Sequence, residues 1–436
     1  MTQTDLSADT TPDTRAETDL FTRIAGADGD DRPDGQESRN GLRFIGSLSL
    51  SKVSDGLIDP KLVLSWLMTA LGAPAALAAA LVPIREAGAL LPQVFYAGLV
   101  QRMRHRKWIW SAGAAGQGLS ALGIAVAGLM LEGTVAGVVI CALLALLAVS
   151  RAACSVSTKD VLGRTIEKRR RGAVTGLAGS VASIGVVIFA LLLVSGLLQD
   201  KGPVLVAIAL AGVFWLSAAA LFSTMEEPEV EPDPDAGLPP VLSVLRQDAD
   251  LRRFILVRGL LVSTALAPPW IVVMTGEGSD NLLGRLGALV LASAGASFVS
   301  SFVWGRLSDR SSRSVLALSG GVAAVALAAM LGLAALGLAT AAWAGPAVLF
   351  VLMLAYHGVR QGRSTYLVDM SPEDDRATYA AVANLTIGLI LLATGAFGGG
   401  LGAIGAAWAV GGFALMAAGG GALAMTLREV EGRDCA

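Results

Sequence analysis

The sequence predicts an all-α polytopic membrane protein of twelve transmembrane helices in two pseudo-symmetric six-helix bundles. Three observations predict it. Of 436 residues 54% are hydrophobic and 16% charged, with a mean hydropathy of +0.64, whereas a soluble domain is about a quarter charged. The apolar residues fall in runs of about 20, enough to cross ~30 Å of hydrocarbon. The polar turns repeat in register: GLVQRMRHRK at 98 is matched by GRLSDRSSRS at 305, Gly163-Arg164 by Val368-Asp369, and Arg171 by Arg376. A near-constant offset across separate turns marks two parallel halves.

The chain opens with a tail, 1–42, whose first 41 residues hold ten Asp or Glu against four Arg; that composition predicts a solvated, disordered segment. The first bundle, 43–224, contains runs at 43–69, 74–98, 108–130, 135–158, 173–198 and 203–224. In the first run Asp59-Pro60 offers an N-cap and an N1 proline for a helix starting at 60. That parse leaves only about a dozen residues for the next crossing, so one longer helix containing Pro60 is expected. A connection at 225–252, rich in Pro and acid, reads as a linker. The second bundle, 253–427, contains runs at 253–275, 282–304, 314–337, 341–360, 378–396 and 402–427, and a short tail follows at 428–436. Pro268-Pro269-Trp270 predicts a kink in the seventh run.

Lys and Arg in short loops orient such a chain. The turns at 102–107, 159–172, 305–314 and 360–376 carry sixteen basic residues, and those on the opposite side only Lys201 and Arg285. The basic face, both termini and the linker are therefore expected in the cytoplasm, and the protein in the plasma (inner) membrane, multi-pass and monomeric. No secretory signal is expected at the N-terminus, which is polar and acidic. A net charge of -2 offers nothing to nucleic acid. Three Cys and two His, none at metal-ligand spacing, predict no metal site, and no phosphate-binding loop or catalytic triad is present. No cofactor and no enzymatic activity are expected.

Ionisable residues at membrane depth cost at least ~2.5 kcal/mol each and point to function. Lys52, Asp55 and Asp59 share one face of the first run, being three and four residues apart. Asp55, twelve residues past Arg43, lies about 18 Å in at 1.5 Å per residue, and Glu86 reaches similar depth beside Arg85 in the second run. Two readings stand: a structural ion network, or a carboxylate, Asp55 or Glu86, that takes up a proton while Arg85 and Lys52 tune it or hold an anionic group of a solute. Arg258 falls 206 residues after Lys52; it reads as a shallow, snorkelling cation or as the equivalent cation of the second half. Arg151 reads as snorkelling too. The glycines of the fifth run and of 395–424 predict close helix approach.

The turn between the eighth and ninth runs, Gly305-x-Leu307-Ser308-Asp309-Arg310-x-x-Arg313, resembles the loop signature of the major facilitator superfamily. The first-half copy keeps Gly98, Arg106 and Lys107 but has Arg102 where the family usually has Asp. The resemblance implies a secondary active transporter that moves a small organic solute by alternating access, and a gating turn whose second copy latches onto the start of the fifth helix near Gly172. Physically, Gly permits a tight turn, an Asp there can accept from exposed helix N-terminal amides, and the arginines anchor at an anionic leaflet. The degraded first copy and the acidic tail leave a second class open, a non-transporting membrane sensor or scaffold. The expected partners are a small solute, protons and the lipid bilayer.

Overall fold

The computed structural model describes residues 12–25, 33–195, 201–232, 241–276, 282–308, 310–372 and 376–430. They form helices and no strand. After α1 (Pro12–Ala25), the first half comprises α2 (Gly35–Leu57), α3 (Val63–Ala70), α4 (Ala75–Leu90), α5 (Gln93–Gln101), α6 (Lys107–Met130), α7 (Gly133–Thr165), α8 (Arg171–Val194) and α9 (Lys201–Ser223). A short α10 (Val241–Gln247) precedes the second half: α11 (Ala249–Leu261), α12 (Ser263–Leu266), α13 (Pro268–Gly276), α14 (Leu282–Ser308), α15 (Ser312–Ala335), α16 (Ala344–Met370), α17 (Arg376–Ile404) and α18 (Ala406–Ala424).

Among the described residues, nine helical stretches are long and apolar enough to cross a membrane. Two further columns carry charge: the α2–α3 column is broken and holds Lys52, Asp55, Asp59 and Lys61, and α16 holds Arg360 and Arg363. A further apolar stretch, Leu286–Ser300, lies in α14.

The internal repeat is visible in the element boundaries. Helix α6 starts at 107 and α15 at 312, an offset of 205. The breaks correspond as well: the first column is interrupted between Leu57 and Val63, and the seventh at Val262 and Ala267. The single long helix expected for the first run is not found. Asp59-Pro60 does interrupt the helix, Asp59 Oδ1 accepting from the backbone amides of Lys61 and Leu62 at 2.7 and 3.1 Å. The second crossing nevertheless keeps its length, because the outer piece α3 turns back at Gly72, whose φ of +70° favours glycine. The kink expected at Pro268 is a break between α12 and α13.

Outward surfaces are apolar, with Phe298 83% and Leu415 77% exposed, as lipid-facing helices require. Inside each half, glycine lets backbones touch. A Cβ built on Gly118 would lie 2.8 Å from Gly212 O, and one built on Gly320 would lie 2.6 Å from Gly421 Cα. These crossings join α6 to α9 and α15 to α18.

Between the halves, α4 packs on α17, α8 on α14, and α3 on α13 and α14. Gly395 faces Pro83, and Gly388 faces Leu91. By contrast α2 packs on α1, α7, α8 and α9, and α11 on α16, α17 and α18, each within its own half. The halves therefore meet at the face opposite the basic turns, where α3 and α13 lie, and along the α4–α17 and α8–α14 seams.

The N-terminal region differs from a solvated tail. Residues 12–25 form α1, and Phe21 is fully buried against Phe44, its ring 2.1 Å from where a Cβ on Gly41 would sit. Helix α2 begins at Gly35, with Asp34 as N-cap. Its first turns are tied down: Glu37 pairs with Arg170 at 2.7 Å, and Asn40 exchanges two 2.9 Å hydrogen bonds with the backbone of Glu226.

Candidate functional site

The charged residues of the first column do not act as one set. They point to three different neighbours. Asp55, near the end of α2, is a shared acceptor: Arg85 of α4 donates to it at 2.6 Å, and Arg151 of α7 engages both of its oxygens. Arg85 is 8% exposed, Asp55 24% and Arg151 36%. Asp55 thus joins three helices. Arg151, expected to snorkel, instead turns inward, because the Asp55 carboxylate on a neighbouring helix is within reach.

Glu86, one residue past Arg85, faces another way and meets Lys61 at 3.9 Å. Lys61 lies in the break after Asp59-Pro60, which carries it inward; its ammonium also sits over the Tyr356 ring of α16, 3.8 Å from the centroid. Lys61 is 6% exposed. This contact spans the two halves. Sequence reasoning passed over Lys61 because it treated the break as continuous helix.

Lys52 reaches neither carboxylate pair by contact. It donates to Thr175 O of α8 at 3.4 Å, and its ammonium lies 3.6 Å from where a Cβ on Gly179 would be, so the small face of α8 accommodates a cation as well as a close helix. Asp59 serves as the cap of α3 described above.

On the second half, Arg258 is 5% exposed rather than snorkelling. It donates to Asn384 Oδ1 of α17 at 3.1 Å, and Asn384 in turn donates to Gln93 Oε1 of α5 at 3.1 Å, a hydrogen-bonded chain across the junction. Its Nε has no partner. Arg360 and Arg363, expected in a turn, lie in α16, which continues to Met370. Arg360 interacts electrostatically with Lys52 and Asp55, and Arg363 with Glu86 and Arg258. Both arginines therefore face the junction between the halves.

The motif turns hold other partners. Arg106 pairs with Asp160 of α7. Gly98 lies in α5 and Gly305 in α14. Arg310 is exposed, and Asp309 lies outside the described residues, so the expected latch near Gly172 is untouched by the structure. Arg313 is bound within its own half, to Glu429 at 3.0 Å and to Leu427 O at 3.1 Å. The first half has a matching staple: Lys107 Nζ donates to Met225 O at 2.6 Å, and its backbone amide donates to Glu227 at 2.8 Å. In both halves a base opening the third helix holds the chain just beyond the sixth.

Outside the spanning segments one carboxylate is clearly perturbed. Glu226 is held below the usual carboxylate range, first by its hydrogen bonds with Arg39 and then by Arg43; correspondingly the Arg39 guanidinium is raised. Among the described residues no His, Cys, Asp and Glu cluster could hold a metal ion.

In fold the chain is similar to several solved transporters. A nucleoside transporter mutant superposes with a TM-score of 0.67 at 12% identity, covering 89% of this chain and 98% of the other. A POT family transporter in complex with 5-aminolevulinic acid gives 0.68 at 11%, covering 89% and 95%. A D-xylose–proton symporter gives 0.64 at 11%, covering 90% and 98%. At such identities the likeness concerns the fold alone. No curated protein matches the chain in sequence. The sequence model of the Major Facilitator Superfamily, however, matches residues 47–356, well over half of the chain. With the halves, the broken first and seventh columns and the junction between them, the chain belongs to the Major Facilitator Superfamily, a family of membrane transporters.

Proposed function

We propose that this chain is a secondary active transporter that moves a small organic solute by alternating access and exchanges protons at Glu86. In this reading the basic face is cytoplasmic, as the loop-charge rule requires. The observation that carries the reading is the gathering of charged side chains of α2, α4, α7, α11 and α16 at the junction between two halves that meet at the face opposite the basic turns.

The two acids differ in how free they are. Both Asp55 oxygens are engaged by guanidinium groups, bonds that are short and strong, which suits a fixed joint between α2, α4 and α7. Glu86 has one ammonium at 3.9 Å and is 32% exposed, so it can exchange partners. While ionised it holds Lys61 beside Tyr356 and helps keep α3 against the second half. A proton on Glu86 removes that attraction and lets the far face part, after which the proton is released on the other side. The bias this provides is the difference in Lys61 binding between the two states, since a ligand shifts an equilibrium only by its differential affinity.

Uptake into proteoliposomes under an imposed pH gradient, over a broad solute panel, tests the reading; no flux of any solute would sink it. Glu86→Gln is expected to abolish gradient-driven uptake and to leave counterflow exchange. Gradient-driven uptake unchanged in this variant would remove Glu86 from the coupling.

A further inference from the structure

We infer that the solute is an organic anion, held through its carboxylate or phosphate oxygens by cations that the two halves contribute jointly; this rests on the transporter reading for where the solute sits. Around the junction, the acids are already committed. Asp55 is shared by two guanidiniums, Glu86 faces Lys61, and Asp59 caps α3. Four further cations, Lys52, Arg258, Arg360 and Arg363, have no carboxylate within ion-pair distance among the described residues.

Leaving a cation buried and unpaired is costly, and Arg258 is the clearest instance. It is 5% exposed, its one hydrogen bond goes to a neutral amide, and its Nε is unsatisfied. The excess is not spread over the surface. Arg360 interacts with Lys52 across the junction, and Arg363 with Arg258 within the second half, so like charges repel on both sides of it. An anion placed there relieves that repulsion and completes the arginines, whose planar fork matches carboxylate and phosphate oxygens. A neutral or cationic solute would leave the repulsion standing. Because Lys52 comes from the first half and Arg258, Arg360 and Arg363 from the second, a bound anion also draws the halves together, which couples occupancy to closure.

The test is a thermal shift of the purified full chain in detergent with matched probes: succinate against succinamide, benzoate against benzamide, glycerol phosphate against glycerol, and choline as a cation. An anion is expected to raise Tm where its neutral counterpart does not. Arg360→Gln, an exposed position where folding is not at stake, and Arg258→Gln should weaken that anion at least about 30-fold. Lys201→Gln, at the far face beside Glu132, should leave it unchanged. Equal stabilisation by neutral or cationic probes, no shift by any anion, or unaltered affinity in both arginine variants would each overturn the inference. Failure of the transporter reading looks different: the anion binds in detergent but shows no flux in proteoliposomes.

Discussion

The two halves are built on one template and carry opposite electrostatics. In the first half Asp55 serves Arg85 and Arg151, and Glu86 serves Lys61, while Lys52 has no carboxylate beside it. In the second, Arg258 on α11 and Arg360 and Arg363 on α16 find none among the described residues. The 205-residue offset between the starts of α6 and α15 preserves backbone geometry while the chemistry has diverged: one half supplies an ion network that holds three helices, the other supplies cations that await a counter-charge.

The sharpest way to break this contrast is to neutralise one charge in each half. Asp55→Asn leaves two guanidiniums facing each other without an acid. Breaking a buried pair from one side costs about 3–5 kcal/mol; since the Arg151 side chain is 36% exposed, about 3 kcal/mol of unfolding free energy is expected to be lost, together with transport. Arg258→Gln, which removes an unpaired buried cation and keeps an amide to meet Asn384, is expected to be neutral or to gain up to about 1 kcal/mol in the absence of solute. Denaturant unfolding of both variants in detergent reads the difference. Equal losses would mean that Arg258 has a counter-charge after all.

A smaller effect tests the part of the template that is shared. Gly118 and Gly320 both occupy backbone-to-backbone crossings. A Cβ on Gly118 meets Gly212 O at 2.8 Å and the Leu216 side chain, which can move; one on Gly320 meets Gly421 Cα, Gly421 N and Ala417 O at 2.6, 2.7 and 2.9 Å, and backbone cannot. Forcing a methyl into a tight site costs about 1–3 kcal/mol, so Gly320→Ala is expected near the top of that range and Gly118→Ala near the bottom. A Tm for Gly320→Ala equal to wild type would show that α15 and α18 separate freely.

Much of this was legible before the fold was seen, and what was missed has one physical source. The two halves and the depth of Asp55, Arg85 and Glu86 follow from run length and turn spacing. Which charge meets which does not, because pairing depends on helix rotation and on where helices start. Ending the tenth run at 360 placed Arg360 and Arg363 in a loop, whereas α16 continues ten residues further and aims them inward. Treating Asp59-Pro60 as continuous helix hid Lys61, which only the break brings beneath Tyr356. Arg151 was read alone, as a side chain seeking water, when an acid three helices away in sequence lay beside it in space. The Gly-rich stretches, by contrast, are contact faces in part: Gly185, Gly395 and Gly421 meet close neighbours, whereas Gly176, Gly399 and Gly419 face open space.

The smallest expected effect lies at the basic face, where the halves again differ. Beyond the sixth helix, Glu226 is bonded by Arg39 and Arg43 of α2; beyond the twelfth, Glu429 is bonded by Arg313 of α15. Only the first ties its chain end to the first helix of its own half. Because the arginines hold Glu226 below the ordinary carboxylate range, the folded state binds its proton more weakly than the unfolded chain does. The contribution is therefore complete above the unfolded value of about 4.3, and it fades as pH falls through the lower folded value. Both partners are substantially exposed, so the contribution is screened and small. Glu226→Gln is expected to shift Tm by no more than a degree or two at neutral pH, and to flatten the acid limb of the Tm profile while leaving the neutral region unchanged in slope. An acid limb identical to wild type would show that α2 is anchored by Asn40 and Glu37 alone, and that the first half needs no charge on Glu226 to hold its entry helix.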